Sequence, residues 1–334
     1  MPGNKRSRPT GIPNFTLLAD IGGTNARFAL WERGILGPVA SFSTAEYAQP
    51  VEAIRAFLGS QAPGIRVRRA LLAVAGPVSN GYCSLTNSSW VLDAKELRKS
   101  LGLASISLVN DFEAVAWSLS RLIAKDLHRL GGGDGVRGAP SVVLGPGTGL
   151  GVACFVPGTS GSLVIATEAG HATLPASTRR EAAVIDLMRD RFGHVSAERA
   201  LSGDGLINLY QAIAALDHAT VSDRSTAEIT EAALAGSCAV SRAALDLFCA
   251  TLGSLAGDLA LIFGARGGVY IGGGIVPRFA DFLSRSEFRE RFEAKGRFRQ
   301  YVQTIPTTLI LHPNAALKGL ATFLMLFPAS DTRA

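Results

Sequence analysis

Cysteine is scarce in this 334-residue chain: Cys83, Cys154, Cys238 and Cys249 are the whole set. No two have C-x-x-C spacing, which excludes a zinc ribbon and a dithiol redox motif. What remains is four reduced, partly buried thiols, as in a cytoplasmic protein. There is no tandem repeat of 20–50 residues, and the 37 glycines have no period, so solenoid, collagen-like and low-complexity architectures are excluded. Long apolar runs are missing too. The stretches near 252–264 and 316–327 read as interrupted or too short to span a bilayer. Residues 1–14 are basic, with no apolar segment behind them. They read as a disordered extension rather than a secretory signal.

The net charge is +6, but no basic stripe accounts for it. The densest run, 285–299, interleaves its arginines with Glu287, Glu290 and Glu293, the pattern of a solvated helix face. Nucleic acid is therefore not an expected partner. An anionic small ligand such as ATP explains the positive balance equally well.

What is present is a pair of glycine-rich loops, each leaving a strand-like run: Asp20-Ile-Gly-Gly-Thr-Asn-Ala-Arg27 and Leu144-Gly-Pro-Gly-Thr-Gly-Leu-Gly151. After each the chain resumes as a strand, at 26–31 and 151–156, so both are hairpins. Neither is a Walker loop, which needs G-x-x-x-x-G-K-[ST] and a following helix. Their likeness marks a possible duplication of one α/β unit. Between them, strands are expected at 70–75 and 105–109 and helices at 51–58, 94–101 and 114–123, with Asp93 as N-cap and Glu96 completing a capping box. Residues 131–140 form a glycine-rich connector suited to a lobe boundary. Beyond them, helices are expected at 182–192, 243–264 and 315–326, and strands at 268–271 and 308–311. Alternating strands and helices give α/β lobes, and the hairpins make the sheets mixed. Such sheets bind ligands at the carboxyl ends of strands, where Asp20, Asn110, Asp111, Gly145 and Gly272 fall.

Gly22 and Gly23 let backbone N–H groups approach phosphate oxygens, Thr24 and Asn25 add donors, and Arg27 adds charge. Asp20 can hold Mg²⁺, directly or through water. An ordinary glycine turn accounts for the same residues. In the second loop, Gly147, Thr148 and Gly149 suit a cradle for β- and γ-phosphates, against the same alternative. Gly272, Gly273 and Gly274 fit either a bare wall beside a nucleoside or a turn before a helix. Asp111, at a strand end, can take a proton from an attacking hydroxyl, or cap the next helix, or both. Glu168, His171, His194 and Glu198 make a scattered polar set. Such acceptors suit a polyhydroxylated ligand, although His194 alone reads as a surface or capping residue, and no cysteine cluster supports a metal.

Together these motifs resemble the bacterial ATP-dependent glucokinases of the non-zinc type. The resemblance covers nearly the whole chain after about residue 15. It is carried by Leu18-Ala-Asp-Ile-Gly-Gly-Thr-Asn-Ala-Arg27, Leu85-Thr-Asn-Ser-Ser-Trp90, Val109-Asn-Asp-Phe-Glu-Ala-Val115, Gly145 to Gly151, Glu168-Ala-Gly-His171, Gly193-His-Val-Ser-Ala-Glu-Arg199, Leu201-Ser-Gly203 and Gly267-Gly-Val-Tyr-Ile-Gly-Gly-Gly-Ile-Val-Pro-Arg-Phe279. The chain departs from the family's pattern at Ala169, where glycine is common, at the charged Asp204, and in its basic N-terminal extension. The cysteine-rich zinc motif of the related repressor/kinase sugar family is absent.

The resemblance implies the two-lobed actin/hexokinase-like (ribonuclease H-like) α/β fold with an interdomain cleft. The small domain would take 15–121 and 312–334, and the large domain 122–311. It implies transfer of the γ-phosphoryl of ATP to the 6-hydroxyl of glucose with Mg²⁺, and a cytoplasmic homodimer. By motif, Asp111 resembles the catalytic base. Asn110, Glu168, His171 and Glu198 resemble glucose ligands, with Asn87 at the sugar's border. Ala19, Asp20, Ile21, Gly22, Gly23 and Thr24 resemble the first phosphate segment. Closing of the lobes would bring glucose O6 to the γ-phosphate. Two other readings stay open: a kinase for another hexose, or with polyphosphate or ADP as donor, and a non-catalytic sugar sensor. The sensor would need a DNA-binding module, for which about fourteen residues before the first strand are too few.

Overall fold

The computed structural model describes residues 14–85 and 88–327. The chain divides into two compact units. One runs to Asp111 and includes the chain again from Phe323, and the other spans Phe112–Thr322.

The first unit contains β1 (Asn14–Ile21), β2 (Asn25–Glu32), β3 (Ile35–Leu36), β4 (Ala40–Ser43), α1 (Pro50–Gly59), β5 (Arg66–Val74), the hairpin β6 (Tyr82–Ser84) and β7 (Val91–Asp93), α2 (Ala94–Leu101) and β8 (Ser105–Asn110). Its main sheet has the order β3-β2-β1-β5-β8, with β4 also on β2. β1 is antiparallel to β2 and parallel to β5, which is parallel to β8. Leu17, Ile21, Phe28, Ile54, Phe57, Leu72 and Trp90 fill its core. α2 starts at its expected N-cap, with the Asp93 carboxylate accepting the N–H groups of Lys95 and Glu96, but among the described residues Glu96 does not return a bond to complete the box.

The second unit contains α3 (Asp111–Ser118, whose first residue ends the other unit), β9 (Leu127–Gly131), β10 (Ser141–Pro146), β11 (Leu150–Val156), β12 (Leu163–Thr167), α4 (Arg179–Phe192), α5 (Gly203–Leu216), α6 (Thr226–Ala235), α7 (Ala239–Ile262), β13 (Gly268–Ile271), three short helices, α8 (Ala280–Arg285), α9 (Phe288–Glu293) and α10 (Arg299–Gln303), then β14 (Thr307–Ile310) and α11 (Ala315–Leu326, which from Phe323 belongs to the other unit). Its sheet runs β12-β11-β10-β13-β14-β9. β10 is antiparallel to β11 and parallel to β13, and β13 is parallel to β14. The two sheets thus share one plan: an antiparallel hairpin followed by two parallel strands on its first strand. The likeness of the paired glycine loops extends to this strand order.

Two expectations change. The helix expected over 114–123 occupies Asp111–Ser118 instead. Its early end has a local cause: Ser118 and Ser120 donate their hydroxyls to the carbonyls of Val115 and Trp117, and three-residue bonds at Leu119 and Arg121 close the turn. The apolar run near 252–264 belongs to the 24-residue α7, long and apolar enough to cross a membrane by length and composition. Its side chains fill the core instead: Leu245, Phe248, Cys249, Leu252 and Ala256 are fully buried.

Candidate functional site

In the first unit, parallel pairing places Ile21, Val74 and Asn110 side by side at the carboxyl ends of β1, β5 and β8. The functional candidates therefore share one edge. Asn110 donates its Nδ2 to Gly76 O at 3.3 Å. Asp111 follows as the first residue of α3, half-buried at the positive end of the helix dipole, a favourable place for a carboxylate. It opens the helix rather than capping it from outside.

The first glycine loop is a tight hairpin, with Gly22 N–H donating to Asn25 O at 2.9 Å. Thr44 takes up its carbonyls: the hydroxyl donates to Gly23 O at 2.6 Å and the N–H donates to Thr24 O at 3.0 Å. The N–H groups of Gly23 and Thr24 have no acceptor among the described residues, and such a turn is a ready anion site. Ala19 and Ile21 point into the core, fully buried, so they can serve a ligand only through their backbone. Asp20 and Arg27 lie opposite each other on β1 and β2, with Arg27 Nη1 3.1 Å from Asp20 Oδ2. Burial raises the Asp20 carboxyl above its ordinary range, and Arg27 offsets only part of this. A carboxylate so incompletely compensated fits an additional cation. Among the described residues no cluster of three metal-ligating side chains exists. One carboxylate is enough for Mg²⁺, which keeps waters and takes phosphate oxygens.

In the second unit two short turns converge. Glu168 precedes the 3₁₀ turn Ala169–His171, and Glu198 lies in the turn Ala197–Arg199. The Ala197 N–H donates to Ala172 O at 2.9 Å and ties the turns together. His171 stands 3.9 Å from Glu168 and 4.0 Å from Glu198. These gaps are too wide for hydrogen bonds. Glu168 and His171 are more than half exposed, and neither side chain makes a hydrogen bond among the described residues. Glu198 is more enclosed, with its Oε2 accepting the Leu150 N–H at 2.8 Å. His194 pairs with the Thr173 hydroxyl at 3.0 Å, away from this trio's contacts, as a surface histidine would.

The second glycine loop serves more neighbours than a phosphate. Gly145 and Gly151 are directly opposite in the β10–β11 register. A Cβ at Gly151 would lie 1.8 Å from Phe112 Cδ2, and one at Gly145 would lie 2.6 Å from Phe112 Cζ. The slot holds the Phe112 ring. Gly273, at φ +85°, packs against Pro146, whose carbonyl oxygen would lie 2.2 Å from an added Cβ. Gly274 has open space, and a Cβ at Gly147 would make only an ordinary contact, 3.9 Å from Gly149 O. At the tip, Gly147 N–H donates to Gly149 O at 2.8 Å, while the N–H groups of Thr148 and Gly149 have no acceptor among the described residues. Gly203, at the start of α5, donates to Gly147 O at 2.9 Å.

Asn87 lies outside the described residues. Thr44 was not singled out from the sequence, and Phe112 and Gly203 entered only inside motifs that carry the resemblance, with no role assigned. The pairing of Gly145 with Gly151 across a hairpin was the available signal for Phe112. Nothing local announces Thr44, which acts across 21 residues. Asp204, unexpected by motif, is exposed in the first turn of α5, where a negative charge suits the helix dipole.

The glucokinase family model matches residues 17–326. The glucokinase of Paramagnetospirillum magneticum is 48% identical over 313 residues, covering 93% of this chain and 97% of that protein. The glucokinase of Aromatoleum aromaticum is 46% identical over 329 residues, covering 97% and 99%. A crystal structure of glucokinase from an Antarctic psychrotroph superposes with a TM-score of 0.82 at 38% identity, covering 93% of this chain and 99% of that one. The fold is thus the actin/hexokinase type of α/β architecture with mixed sheets. From the strand plan, the motif order and this breadth of likeness together, the chain belongs to the glucokinase family, ATP-dependent hexose kinases.

Proposed function

We propose that this protein phosphorylates the 6-hydroxyl of glucose with ATP, and that Asp111 takes the hydroxyl proton. The observation that carries the sugar side is the trio Glu168, His171 and Glu198. His171 stands 3.9 and 4.0 Å from the two carboxylates, out of hydrogen-bond reach. Among the described residues only the Glu198 side chain has another partner, the Leu150 N–H on its Oε2. A ring of hydroxyls supplies the donors and acceptors they lack. Asn110 adds an amide beside the base. On the phosphate side, the N–H groups of Gly23 and Thr24, and of Thr148 and Gly149, would receive phosphate oxygens. Asp20 is the residue to hold Mg²⁺, which when bound neutralises charge on the phosphates. As the glucose oxygen bonds to the γ-phosphorus, the bond to the bridging oxygen breaks, ADP leaves, and Asp111 holds the proton.

The test is ADP release, followed in a coupled assay with glucose, mannose, fructose and an aminosugar at matched concentrations. Glucose should give the highest kcat/KM. A higher value for another hexose would reassign the substrate, and no release with any of them would remove the kinase reading. Replacing ATP by ADP or polyphosphate should abolish sugar phosphorylation.

A further inference from the structure

The Leu150 backbone stands between the two turns that carry the sugar-facing trio. Its N–H donates to Glu198 Oε2 at 2.8 Å. Its carbonyl oxygen lies where a Cβ at Gly170 would come within 2.1 Å, so the turn between Glu168 and His171 rests directly on it. Beside it, a Cβ at Gly149 would lie 2.5 Å from Glu198 Oε2. Two glycines, one in the hairpin tip and one in the turn after Glu168, thus bare the backbone of one residue, Leu150, to both ligand-bearing turns. Glu198 and Leu150 are 48 residues apart, so the contact is a product of the fold and not of local geometry.

We infer that Gly149 and Gly170 are positioning residues for sugar binding: the tip of the second glycine hairpin sets the Glu198 carboxylate and the Glu168–His171 turn in register. This deepens the glucose reading and rests on it. It also gives Gly149 a task separate from phosphate binding. The backbone N–H of Gly149 serves a phosphate equally well under an alanine side chain, whereas the space beside its Cα does not serve Glu198.

Gly149→Ala separates the two tasks. The group met by the new methyl is the end of a flexible side chain, so the expected response is a displaced carboxylate and a folded protein. The KM for glucose should rise about ten- to a hundredfold, the scale of misplacing a positioning group. The KM for ATP should stay within about twofold, and glucose binding measured by calorimetry without nucleotide should weaken in parallel. A rise in the ATP KM, alone or with that of glucose, or no change in either, would overturn the inference. A second measurement needs no turnover. The Tm loss caused by Gly149→Ala should be smaller in a Glu198→Ala background than in the parent, because the carboxylate is gone. Equal losses in both backgrounds would overturn the contact itself. Because this cycle is read from melting alone, failure of the glucose assignment in the parent enzyme leaves it interpretable.

Discussion

Asp111→Asn should lower kcat by roughly 10²- to 10⁴-fold, the range over which general bases act. The amide has the shape of the carboxylate and can still hydrogen-bond a sugar hydroxyl, but it cannot hold the transferred proton. Glucose affinity, measured by calorimetry, should therefore change by less than about fivefold, since one neutral hydrogen bond is worth roughly 1 kcal/mol. The fold should also survive. Asp111 is the first residue of α3, and loss of a charge there removes about 0.3–1 kcal/mol of dipole interaction. Turnover within a few-fold of the parent would remove Asp111 as the base. Loss of glucose binding together with turnover would make it a ligand only.

The second large effect concerns stability. Glu181, on the first turn of α4, and Arg291, on α9, are 110 residues apart and joined by two bonds, of 2.7 and 3.0 Å. Their side chains are only 8% and 12% exposed. Arg291→Met leaves a carboxylate buried without its partner and should destabilise the fold by about 3–5 kcal/mol. A urea midpoint would show it. The double variant Glu181→Gln with Arg291→Met should lose less than Arg291→Met alone, because the glutamine oxygen still accepts the Ser177 N–H and no charge is stranded.

The sign of the pH dependence follows from Glu181. Burial would raise its carboxyl, but the bonds from Arg291 and the Ser177 N–H outweigh burial and hold it below the ordinary glutamate value. The parent protein therefore has the full contribution of the pair above roughly pH 4 and loses it as pH falls further, through the lowered folded value. In Arg291→Met the carboxyl keeps its burial without the cation, so acidification relieves the stranded charge. The stability gap between parent and variant should shrink as pH falls. A gap independent of pH between 3 and 7 would contradict the assigned cause.

The parts of this fold that were legible in the sequence are those whose signal is local. Gly22-Gly23 and Gly145 to Gly151 announced hairpins because strand-forming runs flank them closely, and Asp93 with Glu96 announced the start of α2. α6 carried the same signal, a Ser225–Glu228 capping box, but it lies inside a polar stretch that does not stand out. The start of α5 was hidden by Gly203 and Gly205, residues that read as loop. Gly205 is there because the chain passes tightly: its Cβ would meet Ala200 C at 2.5 Å. Glu168, His171 and Glu198 were read with His194 as a scattered polar set for a polyhydroxylated ligand, and the family resemblance gave all but His194 the role of glucose ligands. Their geometry was not readable, because the pairing of Leu150 with Glu198 is set by packing between distant segments. The glycines of the second loop were read as a phosphate cradle or as an ordinary tight turn. Their cross-strand register, which makes room for Phe112, appears only once β10 and β11 are paired.

The identity of the product tests the assigned reaction most directly. Purified protein incubated with glucose, ATP and Mg²⁺ can be followed by phosphorus NMR. ADP and one sugar ester are expected, with the phosphate on the 6-oxygen, and no ester in the Asp111→Asn variant on the same timescale. An ester at another hydroxyl, inorganic phosphate in place of an ester, or equal ester formation by the variant would contradict the assigned reaction.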